Sequence, residues 1–319
     1  MHGQGLNSAA ADICREVVER AERLRVNVRR VNESSDEALL VDCGIDVSGG
    51  LEAGRRLAEI CLAGLGEVSF VPGDAELWHG PAVQVRTDHP VAACLASQYA
   101  GWEIKSGGFF AMGSGPMRAA AGREPLFEAI GHRDSAESCV GVLESGVLPP
   151  DAICRDLAEK CSIAPEKLTL LVAPTRSLAG AVQIVARSVE TALHKLHELE
   201  FDVARVESGY GMAPLPPPGA DDLASIGRTN DAILYGAEVT LFVRGDDASL
   251  WDIGPQVPSS ASPDHGRPFA QIFAGYGHDF YQVDPHLFSP AVVMFQNLDT
   301  GNAFRFGHTL PRVIHESFG

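Results

Sequence analysis

The chain is poor in basic charge: 25 lysines and arginines stand against 42 acids, for a formal net charge of −17. Nucleic-acid binding needs a basic face to neutralise phosphates, so this balance argues against that class of partner. The acidic surface serves solubility first, and its field favours a cationic ligand over a polyanionic one. No apolar run approaches the roughly 20 residues of a membrane span. Residues 1–8 lack a basic stretch followed by an apolar one, so we expect no secretory signal and a cytoplasmic location. The seven cysteines contain no Cys-x-x-Cys pair and no zinc-ribbon spacing. Buried, reduced thiols are the expectation, as suits a reducing compartment. Several catalytic signatures are also missing. There is no G-x-x-x-x-G-K-[ST] loop, no G-x-S-x-G elbow and no H-E-x-x-H, and a G-x-G-x-x-G frame begun at Gly113 ends on Arg118.

What remains is a globular profile. The 319 residues are 45% hydrophobic and 21% charged, with 33 glycines in no fixed register. That length suits one large domain or two of ordinary size. Apolar periodicity and turn residues predict helices over 7–24, 50–62, 90–99 and 177–199, and strands over 26–31, 38–43, 82–86, 168–172, 232–243, 292–296 and 303–306. Pro149-Pro150-Asp151 reads as a helix start. The Pro214-Leu215-Pro216-Pro217-Pro218 run reads as a stiff extended connector, unsuited to a helix or a central strand. The expected fold class is α/β with α+β character: two mixed lobes, approximately 1–148 and 149–319 and free to exchange segments, enclosing an interdomain cleft. Such clefts are where small-molecule sites usually form.

Four constellations are candidates for chemistry. On the 177–199 helix, Val182, Val185, Val189, Leu193 and Leu196 make a core-facing stripe at ~100° per residue. Gln183, Arg187, Glu190 and His194 make a second, polar stripe. An Arg and a Glu three apart can touch. They form either a solvated ion pair or a site in which Arg187 orients Glu190 to activate a water. The run Ala111-Met112-Gly113-Ser114-Gly115-Pro116 is either a tight turn or a place where backbone N–H groups approach an anion or a ring edge. Gly227-Arg228-Thr229-Asn230-Asp231 reads as a loop just before a strand, made of turn residues or of groups that read hydrogen-bonding edges. Thr87-Asp88-His89-Pro90 reads as a helix cap in preference to a ligand contact. The 11 histidines raise a metal site, but no complete ligand set surrounds His194 and His197, and catalytic Zn²⁺ needs three protein ligands and an open position. We expect no catalytic metal.

Taken together, Val41-Asp42-Cys43-Gly44, the segment from Gln84 to Pro90, the residues 111–116, the run Ala181-Val182-Gln183-Ile184-Val185-Ala186-Arg187-Ser188-Val189-Glu190-Thr191, and Gly227 to Ala232 resemble methenyltetrahydromethanopterin cyclohydrolase. The resemblance runs from near residue 10 to about 245 and is weaker beyond 250. It implies a two-domain α/β subunit, commonly a homotrimer, that reversibly hydrolyses the N5,N10-methenyl bridge of a tetrahydromethanopterin, or a dephospho form of it, to the N5-formyl compound. The setting is one-carbon metabolism, in formaldehyde oxidation or methanogenic form. The resemblance assigns the hydrolytic water to Arg187 and Glu190, and pterin contacts to Gly113, Ser114, Gly115, Gln183, Thr229, Asn230 and Asp231. It implies no resident cofactor, since the pterin is the substrate. Two other readings stay open: a metal-dependent amidohydrolase, and a pterin-binding protein without catalysis.

Overall fold

The computed structural model describes residues 5–319, so the first half of the 1–8 segment lies outside the described residues. The chain divides into two compact units. One takes the residues up to Gly66 together with Ala92–Gln183; the other takes Glu67–Val91 and Ile184–Gly319. The expected lobes are approximately 1–148 and 149–319, free to exchange segments; the chain passes between the two units at 66, 91 and 183.

Twelve strands are present among the described residues: Asn27–Arg30 (β1), Leu39–Asp42 (β2), Gly66–Val71 (β3), Ala82–Thr87 (β4), Trp102–Ser106 (β5), Phe109–Ser114 (β6), Cys139–Glu144 (β7), Leu168–Ala173 (β8), Val206–Pro214 (β9), Glu238–Val243 (β10), Val292–Asn297 (β11) and Ala303–Gly307 (β12). They form two sheets of six. The first unit holds the order β1-β2-β8-β7-β6-β5, and the second holds β12-β11-β10-β9-β4-β3.

In the first unit, β2, β8 and β7 run parallel at the centre, flanked by antiparallel neighbours. Parallel strands are covered on both faces, which is why Val140, Val142, Leu168, Leu170, Leu171 and Val172 are all buried. The helices are Leu6–Glu19 (α1), Ala21–Leu24 (α2), Leu51–Cys61 (α3), Met117–Ala121 (α4), Leu126–Ile130 (α5), Asp151–Lys160 (α6) and Leu178–Val185 (α7), whose last two residues lie past the division. The alternation of apolar residues splits the core into two layers. Cys139, Leu143, Leu168, Leu170 and Val172 pack with Ile153 and Leu157 of α6, while Val140, Val142 and Leu171 pack with Val17 of α1 and Leu57 of α3. Val91–Gln98, expected as an ordinary helix, is a π-helix. This wider winding is seldom used over more than a turn.

The second unit pairs β10 and β11 in parallel, with β12 and β9 antiparallel on either side and β4 antiparallel to β9. Its helices are Ser188–Glu198 (α8), Asp222–Gly236 (α9), Asp247–Ile253 (α10), Phe269–Gly275 (α11) and Pro311–Phe318 (α12).

Three expectations are corrected. Residues 232–236 continue α9 rather than starting a strand, so only Glu238–Val243 is extended. Asp221 explains why: its side chain accepts the Ala224 N–H as an N-cap and commits the following residues to helix. Pro214, placed outside any central strand, is the last residue of β9, which pairs on both sides; a strand end is where a missing N–H is tolerated. The 177–199 helix is two helices, α7 and α8.

Candidate functional site

The break between α7 and α8 falls on Ala186 and Arg187. The Arg187 N–H bonds back only three residues, to Ile184 O at 3.0 Å, and the backbone of Arg187 sits at φ −87°, ψ 8°. That tightens the last turn of α7 and lets a new helix start. The reason it starts there is visible on β9. A Cβ on Gly211 would lie 2.4 Å from Ser188 Oγ, and one on Gly209 would lie 2.6 Å from Val189 Cγ1. Glycines at 209 and 211 thus let the first turn of α8 press against the strand.

This places the two candidate catalytic residues at a helix N-terminus. Arg187 is the N-cap and Glu190 lies in the first turn, where a carboxylate interacts favourably with the helix dipole. Both are buried, at 8% and 4% exposure. A solvated helix face is therefore ruled out for them. The apolar stripe is confirmed on both sides of the break: Val182, Val185, Val189, Leu193 and Leu196 are all fully buried. His194, the fourth member of the polar stripe, lies 3.6 Å from Glu198 one turn on.

In the first unit the glycine-rich run is mostly strand. Residues 111–114 belong to β6, where Gly113 pairs with Trp102 on β5 and Leu143 on β7. Gly113 is a packing glycine, since a Cβ there would meet Ile104 Cδ1 at 2.8 Å. Gly115 is the turn: its φ of +88° suits glycine, and its N–H donates to Ser97 O at 2.9 Å. The reading of this run as an open cradle of N–H groups is corrected accordingly. Ser114 and Gln183, both 1–2% exposed, do come together around Cys61. Its Sγ is 3.5 Å from Ser114 Oγ and 4.0 Å from Gln183 Oε1. Cys61 ends α3 and accepts Ser97 Oγ on its carbonyl at 2.6 Å. Nothing in the sequence distinguishes this cysteine from the other six, which are likewise buried and outside any disulfide.

The Gly227 to Asp231 motif is the largest departure from expectation. It is the middle of α9, not a loop. Arg228 spends its guanidinium on three carbonyls, Ser317 O at 3.0 Å, Pro217 O at 3.2 Å and Pro218 O at 3.0 Å. Thr229 Oγ1 donates to Ser225 O at 2.9 Å and Asn230 Nδ2 to Ile226 O at 2.9 Å, both one turn back on the helix. Asp231 Oδ1 accepts the Phe269 N–H at 2.8 Å. Polar groups that lack a loop to sit in have been turned to holding the helix and its neighbours. Thr87 Oγ1 accepts the His89 N–H at 3.0 Å, a local turn between β4 and the 91–98 helix and not a bond to that helix's first N–H groups.

Among the described residues no three His, Cys, Asp or Glu side chains converge as a metal site, and no helix is long and apolar enough to cross a membrane.

Comparison with known proteins covers almost the whole chain. A family model described as Cyclohydrolase (MCH) matches residues 5–318. A methenyltetrahydromethanopterin cyclohydrolase of Xanthobacter autotrophicus is 50% identical over 315 residues, covering 98% of this chain and 92% of the relative. The protein of that name from Methylobacterium sp. (strain 4-46) is 48% identical over 318 residues, covering 98% and 97%. One from Methanosarcina barkeri (strain Fusaro) is 41% identical over 318 residues and covers 98% of each chain.

Proposed function

The chain belongs to the methenyltetrahydromethanopterin cyclohydrolase family, and from that premise we propose that it opens the N5,N10-methenyl bridge of tetrahydromethanopterin, or of a dephospho form, by adding water, giving the N5-formyl compound reversibly. The observation that carries the catalytic assignment is the burial of Arg187 and Glu190 together at the start of α8. A buried carboxylate in the first turn of a helix, three residues after its cap, is held in place, as a general base must be.

The methenyl carbon lies between two nitrogens that share a positive charge, so it is already electrophilic. Glu190 accepts a proton from water as the C–O bond forms. It returns that proton to N10 as the C–N10 bond breaks, and the hydroxyl proton of the intermediate departs as the formyl C=O forms. The sum is cation plus water giving formyl product plus one proton. Arg187 orients the Glu190 carboxylate and the water. Ionised Glu190 and the acidic chain as a whole favour the cationic substrate.

Gln183 and Ser114, ordered around Cys61, are the best-supported polar contacts for the pterin ring, with Gly113 and Gly115 shaping the backbone beside them. Thr229 and Asn230 reach the substrate only by giving up bonds within α9, so their part is the smaller one. A metal-dependent amidohydrolase needs a ligand set that the described residues do not assemble. We further propose a cytoplasmic homotrimer acting in one-carbon metabolism, such as formaldehyde oxidation.

One assay tests the reading. The methenyl substrate has a near-ultraviolet absorption that disappears on hydrolysis. The chain should bleach it catalytically, with undiminished rate after exhaustive chelation. Stoichiometric binding without bleaching would make it a pterin-binding protein, and loss on chelation with rescue by Zn²⁺ would make it a metalloenzyme.

A further inference from the structure

Asp231 is fully buried in the second unit on a face of α9 that meets two other helices. Its Oδ1 accepts the Phe269 N–H, at the start of α11, and its Oδ2 has no hydrogen-bond partner of ordinary geometry. A buried carboxylate requires a cation or several donors, because desolvation otherwise disfavours the charge. No cation is supplied here, and the donors are limited to the Phe269 N–H and the Ser317 hydroxyl. Arg228, the neighbouring cation on α9, is committed to the carbonyls of Ser317, Pro217 and Pro218. Arg267, whose side chain is largely exposed, lies 3.7 Å from Asp264. From α12 the Ser317 hydroxyl favours the charged form and the nearby Glu316 opposes it. One turn on, Tyr235 closes the same region: its hydroxyl donates to Arg267 O at 2.6 Å and accepts the Gly266 N–H at 3.2 Å, while its ring lies against His265, which in turn faces His308.

We propose that Asp231 is a positioning residue carrying a proton, a neutral clamp that joins α9 to α11 and α12 and loosens as the medium turns alkaline. The clamp lies one residue from Asn230, on the helix that carries the 227–231 motif. The proposal concerns the fold of the second unit and stands whether or not Glu190 is the catalytic base.

Burial, the largest influence, raises the Asp231 carboxyl from an ordinary 3.8 to about 7, against the smaller opposing pull of Ser317 and of the Phe269 N–H. The sign follows. A carboxyl raised in the folded state contributes its stability below its unfolded value and loses it as pH climbs through the folded one, so the window runs from about 4 to about 7. Within that window the folded chain holds a proton that the unfolded chain has released.

The test uses the full chain. Unfolding calorimetry at about pH 5.5, in buffers of different ionisation enthalpy, should show the wild type releasing close to one more proton than Asp231→Asn. Across the same range the wild-type Tm should fall with rising pH more steeply than that of Asp231→Asn. Ser317→Ala removes a hydroxyl that favours the charged form and should move the fall to higher pH. Parallel Tm curves with equal proton release overturn the proposal. Should Asp231→Asn fail to fold, Ser317→Ala decides: an unmoved transition overturns it.

Discussion

The residues 183–190 and 227–231 look alike in sequence and serve different ends. Each packs an Arg, an acid and an amide into a few residues. The first lies across a helix break, with the side chains of Arg187 and Glu190 buried at a fresh N-terminus. The second lies inside an unbroken helix, and its polar groups are tied to the carbonyls of Ser317, Pro217, Pro218, Ser225 and Ile226 and to the amide of Phe269. A polar cluster within an intact helix spends its hydrogen bonds on architecture. At the interruption the same residue types form the pair for which catalysis is proposed.

The largest effect should come from Glu190→Gln. The amide keeps size and shape but cannot take a proton, so kcat should fall by about 10²- to 10⁴-fold, the usual contribution of a positioned general base. Tm should stay close to wild type, and KM should change far less than kcat. Near-normal turnover would remove Glu190 from the mechanism and with it the contrast between the two segments.

Arg187→Ala should be milder. Losing a charge-assisted contact costs about 1.5–3 kcal/mol, or roughly ten- to hundredfold in kcat/KM. The distinguishing measurement is the pH–rate profile. An orienting role for Arg187 predicts a displaced acid limb, whereas a brace that only holds the break together predicts an unchanged profile with a lower Tm.

Sequence reading reached the Arg187/Glu190 pair by spacing and family pattern, and found the apolar stripe Val182, Val185, Val189, Leu193 and Leu196 correctly. It missed the break because no proline or glycine marks it; the cause sits on β9 at Gly209 and Gly211, which admit Val189 and Ser188. Tertiary packing of that kind leaves no local trace. The strand assigned to 232–236 failed for the opposite reason. Ile233 and Tyr235 favour strands, but the Asp221 cap sets the helix that runs through them. The first-unit contact set was partly legible: Ser114 and Gln183 were named, while Cys61, which brings them together, was one buried thiol among seven. No local pattern in the sequence marks the crossings at 66, 91 and 183, which tertiary contacts define.

Arg228→Ala tests the architectural half of the comparison. Three carbonyls lose their donor, and the chain segment at Pro217 and Pro218 loses its tie to α9. The expected loss is about 1–3 kcal/mol of stability, seen as a lower denaturation midpoint, with kcat and KM of the folded protein near wild type. A rise in KM without loss of stability would return this arginine to substrate binding.

The smallest effect, and the sharpest discriminator, belongs to Asn230→Ala. Its side chain is half-buried, and the bond it makes to Ile226 O competes with ordinary helix hydrogen bonding. Alanine is the better helix former, by a few tenths of a kcal/mol, which offsets much of the lost bond, so stability should change by less than about 0.5 kcal/mol. With the fold unmoved, KM becomes a clean reading. An unchanged KM assigns the whole 227–231 motif to architecture. A KM raised severalfold at constant Tm shows instead that Asn230 leaves its helix bond to meet the pterin, and that the two segments share the work of binding.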